Sequence, residues 1–457
     1  MDASMMEALI WGVGMALLGS VVFSGIGLIS GTDETATVAP LTLLVVLLGV
    51  PPVGIFSWFI AAAVSKHMTH AIPTALMGIP GDTMAVPMLR DATILRQLGV
   101  PHIALRKMIS GGILAAFLAV PVAVGFASLL APFGDLVKTW APVIFTIAAL
   151  IIAYTSSGRW GSILALIPFA FFVQALNKMA IAGTGKGLFI SFFLGIAIGP
   201  LVADLLTVLS PVSRHHLVVK KPRDFWLAPD LKMWKGYFPN PLKVLTKSQI
   251  KFVSVTAFIS SLTFTFSPVG MTVMVGEAVH SRLRGLYQRC TTSLAAMNGV
   301  TEATYIAEAI IPLIAFGIPL SPVALGPAAP LFNAPPIFQS QPEIHNLHSL
   351  MTPMEFMIFG FVGVICAAVI AYPFSMNYAR RASAWVLRYV SQEAIISMFS
   401  GLIVVLSYSE GGLVGVGIAV TIALFGGVLN RYFGIHTGVQ FMTYYASGWL
   451  VTKIFGI

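Results

Sequence analysis

The sequence predicts an all-α polytopic membrane protein, and its composition, its charge-free runs and an internal repeat carry that prediction. Of 457 residues, 57% are hydrophobic and only 9% are charged, against roughly 45–50% and about 25% in soluble proteins. Long charge-free runs recur along the chain, as expected for helices of about 20 residues that cross a bilayer. This composition excludes a soluble domain, a disordered chain and a fibrous repeat.

Positive charge is concentrated in one segment, residues 212–251. The formal net charge of the chain is +9, and nine basic minus two acidic residues give +7 within this segment. The positive-inside rule places such a loop in the cytoplasm, where anionic lipid is the expected contact rather than nucleic acid. We therefore divide the chain into a first membrane repeat (1–211), a basic cytoplasmic loop (212–251) and a second membrane repeat (252–457).

One apolar run is expected to turn back on itself. If 252–276 were a single crossing, Arg282, Arg284 and Arg289 would lie outside the cell, against the positive-inside rule. A hairpin that turns at 267–270 keeps them in the cytoplasm. Such a re-entrant element is tolerated only where it is buried in protein or lines a cavity.

The first 31 residues and the two cysteines carry no processing or metal signal. The chain begins with acidic rather than basic residues, which favours a retained first helix over a removed signal. Neither Cys290 nor Cys366 has a His or Cys neighbour at metal-ligand spacing. We expect both cysteines to be packing residues and predict no metal site.

An internal repeat indicates the architecture. The segment 72–82 recurs as 311–321 at an offset of 239, with five of eleven residues identical. Interrupted apolar segments at corresponding places in two halves mark the binding site of a secondary transporter. Two unrelated proline kinks are the alternative, because Gly and Pro are common in membrane helices.

Each copy of the motif is expected to break a helix. Proline removes a backbone donor and glycine has no side chain, so free N–H groups are left at the break, and such groups suit an anion. The alternative is that the polar side chains there only cap helices. The candidate substrate-binding residues at the breaks and on their polar approaches are Ser30, Gly31, Thr32, Gly78, Pro80, Gly81, Asp82, Thr83, Asn298, Thr301, Gly317, Pro319 and Ser321.

A second polar break precedes each motif, at 30–37 and at 267–272. Acids within a membrane are costly and are functional candidates by default, and a carboxylate among hydroxyls and free carbonyls suits Na+ or a titrating proton. A surface loop that joins two full spans is the alternative at 30–37. The candidate ion-binding residues are Asp33, Glu34, Thr35, Gly270, Thr272, Glu302 and Thr304.

Three basic residues precede the first motif. Lys66 and His70 are placed to meet an anionic substrate, whereas a lysine in this position more commonly extends to the membrane interface. In the second half, Glu302 and Glu308 are six residues apart, so they are not expected to form a carboxylate pair on one helix face. Asp204 and Glu410 are isolated acids without an assigned role.

The sequence has no hydrolase, zinc-peptidase or P-loop motif. We therefore predict that the protein is not an enzyme, with no catalytic residue and no cofactor beyond a coupling cation. One alternative is a membrane-embedded enzyme that uses Asp33, Glu34, His67 or His70 as acid and base. A channel for a small solute is another.

Several segments together carry a family resemblance. They are Ser30-Gly31 followed by 38–42, the motif from Ile72-Pro73 to Ile79-Pro80-Gly81, then Asp91, Gly99 and Ala104-Leu105, and finally 316–321. In order and spacing they resemble the large permease subunit of the tripartite tricarboxylate transporters, the TctA family. Thr69-His70-Ala71 stands where the family has Gly-Gly-Ser, Gly78 where it has Asn, and Leu320 where it has Gly. The chain is identified as a divergent member.

The resemblance implies a function and partners. The expected activity is cation-coupled symport of di- or tricarboxylates with Na+ or H+, in the bacterial inner membrane. A small TctB-like membrane subunit and a periplasmic TctC-like solute-binding protein are the expected partners, and relatives of this kind commonly form homodimers. The resemblance also implies an elevator-like mechanism with an inverted repeat, in which 31–91 and 270–335 move against the remaining spans.

Overall fold

The computed structural model describes residues 3–155, 158–209, 227, 234–265, 267–332, 339–340, 343–344 and 346–455. Most of the predicted basic loop lies outside the described residues, including Arg214, Lys220, Lys221, Arg223 and Lys232. The same is true of 333–335, the end of the segment expected to move. The placement of this loop in the cytoplasm therefore stays a prediction.

The described part of the chain is almost entirely helical, in agreement with the predicted all-α class. Its longer helices are α1 (Ala3–Ile26), α2 (Glu34–Leu47), α3 (Pro52–Ile72), α4 (Leu89–Gln97), α5 (Pro101–Leu130), α6 (Gly134–Thr155), α7 (Trp160–Thr184), α8 (Phe189–Leu209), α9 (Lys247–Ser260), α10 (Pro268–Arg282), α11 (Leu286–Ala315), α12 (Pro353–Tyr389), α13 (Gln392–Phe433) and α14 (Thr437–Phe455).

Short elements fill the connections between these helices. The helical turns are Pro73–Met77, Thr83–Met88, Ala131–Phe133, Pro241–Val244, Pro322–Leu325, Ala329–Leu331 and Leu347–Leu350. Two-residue strands, Gln339–Ser340 and Glu343–Ile344, pair antiparallel.

Five helical stretches among the described residues are long and apolar enough to cross a membrane. They are Met5–Ile26, Pro101–Tyr154, Trp160–Thr184, Pro353–Tyr389 and Ala394–Phe433. The apolar helices Glu34–Leu47 and Phe189–Leu205 are shorter. The chain is thus a multi-pass membrane protein.

The buried apolar side chains form two large cores. The first core packs α1, α3, α5, α11 and α12 around rings that include Phe56, Phe59 and Tyr305. The second core packs α6, α7, α8, α13 and α14 around rings that include Phe169 and Phe193. Each core therefore takes helices from both halves of the sequence.

Helix α2 lies between the two cores. Its residues Ala36, Ala39 and Leu43 belong to the second core, whereas Val38 and Val45 belong to the first. Residues three and four apart share one face of a helix, so α2 presents one apolar face to each core. The start of α2 is the place where the two cores and the first polar break meet.

The most extensive helix–helix interface of the first core, between α5 and α11, depends on small residues. A Cβ atom on Gly111 of α5 would collide with the carbonyl oxygen of Ala295 in α11. Small residues allow membrane helices to approach closely when lipid provides no hydrophobic drive between them. This packing holds the second-half helix α11 against the first-half helices.

Two helices of the second half are separated near the predicted hairpin turn, whose residues 268–270 form the first turn of the second helix. Helix α9 ends at Ser260, and α10 begins at Pro268 with Ser267 as its N-cap, accepting the Gly270 amide at 3.2 Å. At 1.5 Å per residue, α9 and α10 are about 21 and about 22 Å long, less than a bilayer core of about 30 Å. These lengths suit a re-entrant element, whose depth in the membrane stays a prediction.

Glu410 has a structural role that the sequence did not indicate. Helix α13 is interrupted at Gly411 and Gly412, where the backbone leaves the helical conformation. Glu410, just before this interruption, accepts the amides of Ile190 and Ser191, each at 2.8 Å. Because these amides lie at the start of α8, Glu410 caps that helix from α13.

Asp204 joins the same two helices by an ion pair. Its carboxylate lies 3.5 Å from the guanidinium of Arg431, and both side chains are about half exposed. Together with the cap by Glu410, this contact makes both formerly unassigned acids ties between α8 and α13.

Candidate functional site

Both copies of the repeated motif break their helices by the same backbone construction. Gly78 has φ +70° and its amide donates to the carbonyl of Pro73. Gly317 has φ +65° and its amide donates to the carbonyl of Pro312 at 2.9 Å. The predicted helix breaks are therefore present at both motifs, each at a left-handed conformation that favours glycine.

A polar side chain caps the turn that follows each break. One oxygen of Asp82 accepts two amides of the next turn, at 3.0 and 3.2 Å. Ser321 accepts the amide of Ala324 at 3.0 Å and donates to the carbonyl of Glu308 at 2.8 Å. The carboxylate of Glu308 in turn accepts the amide of Val323 at 3.1 Å. The second oxygen of Asp82 is left for other contacts.

The ammonium of Lys66 is buried and contacts the acid at the end of the first motif. The Nζ atom of Lys66 is 2.9 Å from Asp82 Oδ2 and 3.3 Å from Glu34 Oε1, and the lysine side chain is 0% exposed. The alternative that Lys66 extends to the membrane interface is therefore wrong. Lys66 faces two acids within the protein, because burying an unpaired charge would be far more costly.

Two histidines extend this cluster on either side. His67 lies between two carboxylates, with Nε2 2.7 Å from Glu34 and Nδ1 3.1 Å from Glu302. The Nδ1 atom of His70 is 2.8 Å from Asp82 Oδ2. The result is a continuous row of alternating acids and bases, which we call the charge row, formed by Glu302, His67, Glu34, Lys66, Asp82 and His70.

The charge row joins parts of the chain that are distant in sequence. Glu34 is the first residue of α2, Asp82 follows the first motif, and Glu302 lies in the second-half helix α11. Each of these carboxylates is less than 10% exposed. Charges interact more strongly in such an environment than in water, so the charge row fixes these three elements to one another.

The donors around Lys66 are of the kind that bind metal ions. One donor atom each of Glu34, His70 and Asp82 lie within 4.8 Å of one another. The ammonium of Lys66 contacts both carboxylates. The cation among these donors is therefore the side chain of Lys66.

The predicted ion-binding residues fall at two separate places. Glu34 and Glu302 lie in the charge row, and Asp33 caps α2 by accepting the Thr35 amide at 2.9 Å. Thr304 is buried close by in α11, and its hydroxyl has no hydrogen-bond partner among the described residues.

The other predicted ion ligands lie at the start of α10. The Thr272 hydroxyl donates to the carbonyl of Pro268 at 2.7 Å and lies 3.0 Å from the Thr301 hydroxyl in α11. Gly270 is exposed at the beginning of the same helix. Asn298, one turn before Thr301, donates to the carbonyl of Met108 at 3.0 Å. These residues join α10 and α5 to α11.

The first polar break is bonded to the first motif. The Ser30 hydroxyl donates to the carbonyl of Pro80, and the Gly31 amide donates to the carbonyl of Gly81 at 2.9 Å. Gly31 and Thr83 are exposed. The predicted substrate-binding residues Ser30 and Gly31 are thus held against Pro80 and Gly81 of the first motif.

A small cavity adjoins this surface. Ser30, Gly31 and Thr32 line one side of it, and Leu201 of α8 with Ile395 and Ile396 of α13 line the other. Ile396 and Leu201 belong to the second core. The cavity therefore lies where the first polar break faces the second core.

The second motif reaches the same region from the opposite direction. A Cβ atom on Gly326, which follows the capped turn after Ser321, would lie 2.9 Å from Thr35 Oγ1 in the first turn of α2. Ile318 and Leu320 pack against both cores. Both motifs therefore approach the first turn of α2. The predicted substrate-binding residues Gly317 and Pro319 of the second motif are buried.

Three members of the charge row, Lys66, His67 and His70, were considered for contact with an anionic substrate or as the acid and base of an enzyme, but were not included among the predicted substrate- or ion-binding residues. The available signal was their spacing, because Lys66 and His70 are four apart and so share a helix face. Three basic residues within an otherwise apolar run are costly in a membrane unless they meet acids. That cost is a usable indication of a buried cluster.

The long apolar helices, the paired breaks and the buried charge row define a multi-pass α-helical membrane protein with a polar site in its interior. Comparison with known families then identifies it more closely. The profile of the family described as "Tripartite tricarboxylate transporter TctA family" matches residues 13–437, and the chain belongs to this family of membrane transporters. Searches of curated proteins and of solved structures found no match.

Proposed function

We propose that the chain is the large permease subunit of a secondary active, cation-coupled uptake system for di- or tricarboxylates. The substrate would bind between the two Ile-Pro motifs. Family membership supports the class of system. The substrate class, the coupling and the position of the site are our inference.

The observation that carries this proposal is the meeting of both motifs at the first turn of α2. The first motif bonds Gly31, just before this turn, and its Asp82 shares Lys66 with Glu34 in the turn. Gly326, after the second motif, lies against Thr35 in the same turn. Broken helices from two repeats that face one another are the usual construction of a transporter site. A ligand held there would contact both repeats at once.

The side chains at this place are polar, and their positive charges are paired. Ser30 and Thr32 line the cavity and donate their hydroxyls to backbone carbonyls, and Thr83 after the first motif is exposed. The three bases Lys66, His67 and His70 each contact a carboxylate. The choice of a carboxylate as substrate therefore rests on family membership rather than on local net charge.

The two cores support an elevator-like movement. The cavity lies at their boundary, and interfaces between separately packed bodies are where relative movement is the default expectation. In this proposal the body that carries the first motif moves against α6–α8, α13 and α14. A TctB-like membrane subunit and a periplasmic TctC-like binding protein would complete the system in the bacterial inner membrane, where the chain itself would form a homodimer.

The test is the thermal stability of the purified full chain in detergent with a series of carboxylates. Citrate, tricarballylate, succinate and benzoate are added at equal ionic strength in NaCl or in choline chloride. A ligand that binds only the folded state at a hundred times its Kd stabilises that state by about 2.7 kcal/mol. We expect at least one acid to raise the melting temperature.

Matched serine variants locate the effect. Ser30→Ala removes a hydroxyl at the proposed site and should reduce the stabilisation by the acid. Ser281→Ala removes an exposed hydroxyl in α10 that bonds only within its own helix, to Ala278, and should leave it unchanged. No stabilisation by any acid in either salt would contradict a carboxylate substrate.

A further inference from the structure

We propose that the ammonium of Lys66 permanently fills the cation position formed by Glu34 and Asp82, so that this position takes no Na+ and the ion exchanged in the charge row is a proton. This inference rests on the proposed function, because it names the ion of the same site. It follows from the positions of the charged side chains in the charge row.

Lys66 stands where a metal cation would bind. Carboxylate oxygens are typical ligands of a hard cation, and the two that approach most closely here, from Asp82 and Glu34, both contact Lys66 Nζ. A second cation at the same oxygens would lie within a few ångströms of the ammonium, where like charges repel strongly in a poorly hydrated interior. Lys66 thus excludes a free cation by occupying its ligands.

The charge row can be neutral without any added ion. It contains three bases, Lys66, His67 and His70, and three acids, Glu34, Asp82 and Glu302, and each of its five contacts joins one base to one acid. When both imidazoles are protonated, three positive charges oppose three negative ones. The exchangeable charge within the row is then a proton.

The two-sided bonding of His67 fixes the number of protons. Each ring nitrogen faces a carboxylate oxygen, at 2.7 and 3.1 Å, and a hydrogen bond needs one proton between its two atoms. The segment from Glu34 through His67 to Glu302 therefore holds two protons. Loss of one leaves a nitrogen lone pair against a carboxylate and breaks one link.

Among the described residues, the basic side chains that face His67 are themselves members of the charge row. The ring of Tyr305 lies edge-on to His67 with centroids 4.7 Å apart, and the ring of His70 lies 5.3 Å away. Asp33 is engaged with the Thr35 amide. The charged and titratable groups that face His67 from α2, α3, α11 and the turn after the first motif are Glu34, Lys66, His70, Glu302, Tyr305 and Asp82.

One of these two links, from His67 to Glu302 in the second-half helix α11, joins the two halves of the chain. The other joins His67 to Glu34, which opens α2 at the first polar break. An ion drives transport only through different affinities for the two conformations. A proton that holds α2 and α3 to α11 in one conformation has that property.

The test uses the purified full chain without substrate. Binding of radioactive Na+ and thermal stability are measured in NaCl, KCl and choline chloride at equal concentration. We expect no saturable Na+ binding and equal melting temperatures in the three salts. Saturable Na+ binding to the wild-type chain, or a melting temperature raised by NaCl alone, would overturn the proposal.

Two variants sharpen this result. Lys66→Ala frees the carboxylates of Glu34 and Asp82, and we expect Na+ binding to appear. Tyr305→Phe changes the matching position of the second half and should behave like the wild type. If Lys66→Ala does not fold, the wild-type measurement still decides.

Uptake of radioactive citrate into proteoliposomes that contain the chain with its TctB-like subunit and TctC-like binding protein separates this inference from the proposed function. A pH gradient should drive uptake and a Na+ gradient should not. Uptake driven by Na+ alone would overturn the proton assignment. No uptake under either gradient would count against citrate as substrate, while the Na+ binding result would still judge the role of Lys66.

Discussion

The first and second motifs bend the backbone alike, but different forces hold them. At the first, Lys66 and His70 contact Asp82 through charged side chains. At the matching second-half positions, 239 residues later, stand Tyr305, Ala309 and Ser321. The comparison shows that Pro and Gly suffice for the break, whereas the buried charge belongs to the first motif.

The second motif is fixed by neutral and single-acid hydrogen bonds instead. Ser321 donates to the backbone of Glu308, and the Glu308 carboxylate accepts the amide of Val323. Such bonds hold a loop without placing several charges in the interior. We infer that the second motif mainly forms part of the boundary of the site, whereas the charged side chains of the first motif respond to ions.

The largest expected effect comes from removing the ammonium. Lys66→Met keeps the length of the side chain but removes the cation that Glu34 and Asp82 share, which leaves each acid with one histidine contact. Breaking a buried pair in this way costs about 3–5 kcal/mol. Denaturant unfolding in detergent should show a loss of this size.

Tyr305→Phe is the matched control in the second half. The Tyr305 hydroxyl is buried without a hydrogen-bond partner among the described residues, so its removal should change the free energy of unfolding by less than about 1 kcal/mol. Equal effects of the two substitutions would contradict the contrast between the motifs.

Substitutions of the two capping residues, Asp82 and Ser321, should differ less in their effect on the free energy of unfolding. Asp82→Asn keeps a good helix cap but weakens the contacts to Lys66 and His70, so we expect a loss of about 2 kcal/mol. Ser321→Ala removes only a cap, with an expected loss of about 1 kcal/mol. The same unfolding assay compares them, and a greater loss for Ser321→Ala would reverse our assignment of charge to the first motif.

Substitutions of the two motif glycines, Gly78 and Gly317, test whether the left-handed backbone turn holds both motifs. A non-glycine residue in the left-handed conformation costs roughly 1–2 kcal/mol, so Gly78→Ala and Gly317→Ala should both destabilise the protein. We expect Gly317→Ala to be the worse, because its Cβ would lie 2.8 Å from the ring of His348, which is bonded to Leu313 at 2.9 Å. The Cβ of Gly78 would instead meet the end of the exposed Arg96.

A glycine in open space is the control for this pair. Gly183 lies within α7 with no atom near its would-be Cβ, so Gly183→Ala should stabilise the helix slightly. If all three glycine variants unfold alike, the left-handed turn is not what holds the motifs.

The smallest effect is expected for an exposed ion pair. Arg90 and Glu277 lie 4.0 Å apart and each is 73% exposed. Such pairs contribute little because water and salt screen them. Glu277→Gln should leave the melting temperature unchanged, and a clear loss would mean that burial does not separate this pair from the charge row.

The helix breaks could be predicted from the sequence because they depend on local chemistry. Proline lacks a donor, and glycine at 78 and 317 adopts a conformation that other residues resist. The cap of the turn after the first motif was the stated alternative there, since Asp82 bonds amides two and three residues away. The cap of α2 by Asp33 was not predicted, because Asp33 was interpreted as an ion ligand.

The charge row could not be predicted, because its contacts join residues that are far apart in sequence. Within the charge row, His67 and Glu302 are separated by 235 positions. Outside it, the contact of Glu410 with the Ile190 amide at the start of α8 spans 220 positions. No spacing rule relates such residues before the helices pack. Their charge in an apolar run indicated that partners exist but not which ones.

The central claim is that both motifs meet at the first turn of α2, and a disulfide tests it most directly. The pair Thr35→Cys and Gly326→Cys is introduced with Cys290 and Cys366 replaced by alanine. A protease site inserted in the 212–251 loop then reports whether the two halves stay joined after cleavage of membranes treated with a mild oxidant.

The contact between Gly326 and Thr35 predicts that the two halves stay joined until a reductant is added. Thr35→Cys with Ser281→Cys, exposed in the second-half helix α10, is the matched pair that should separate. Separation of the 35–326 pair under the same oxidant, with a folded protein, would contradict the shared site and with it the proposed binding of substrate between the motifs.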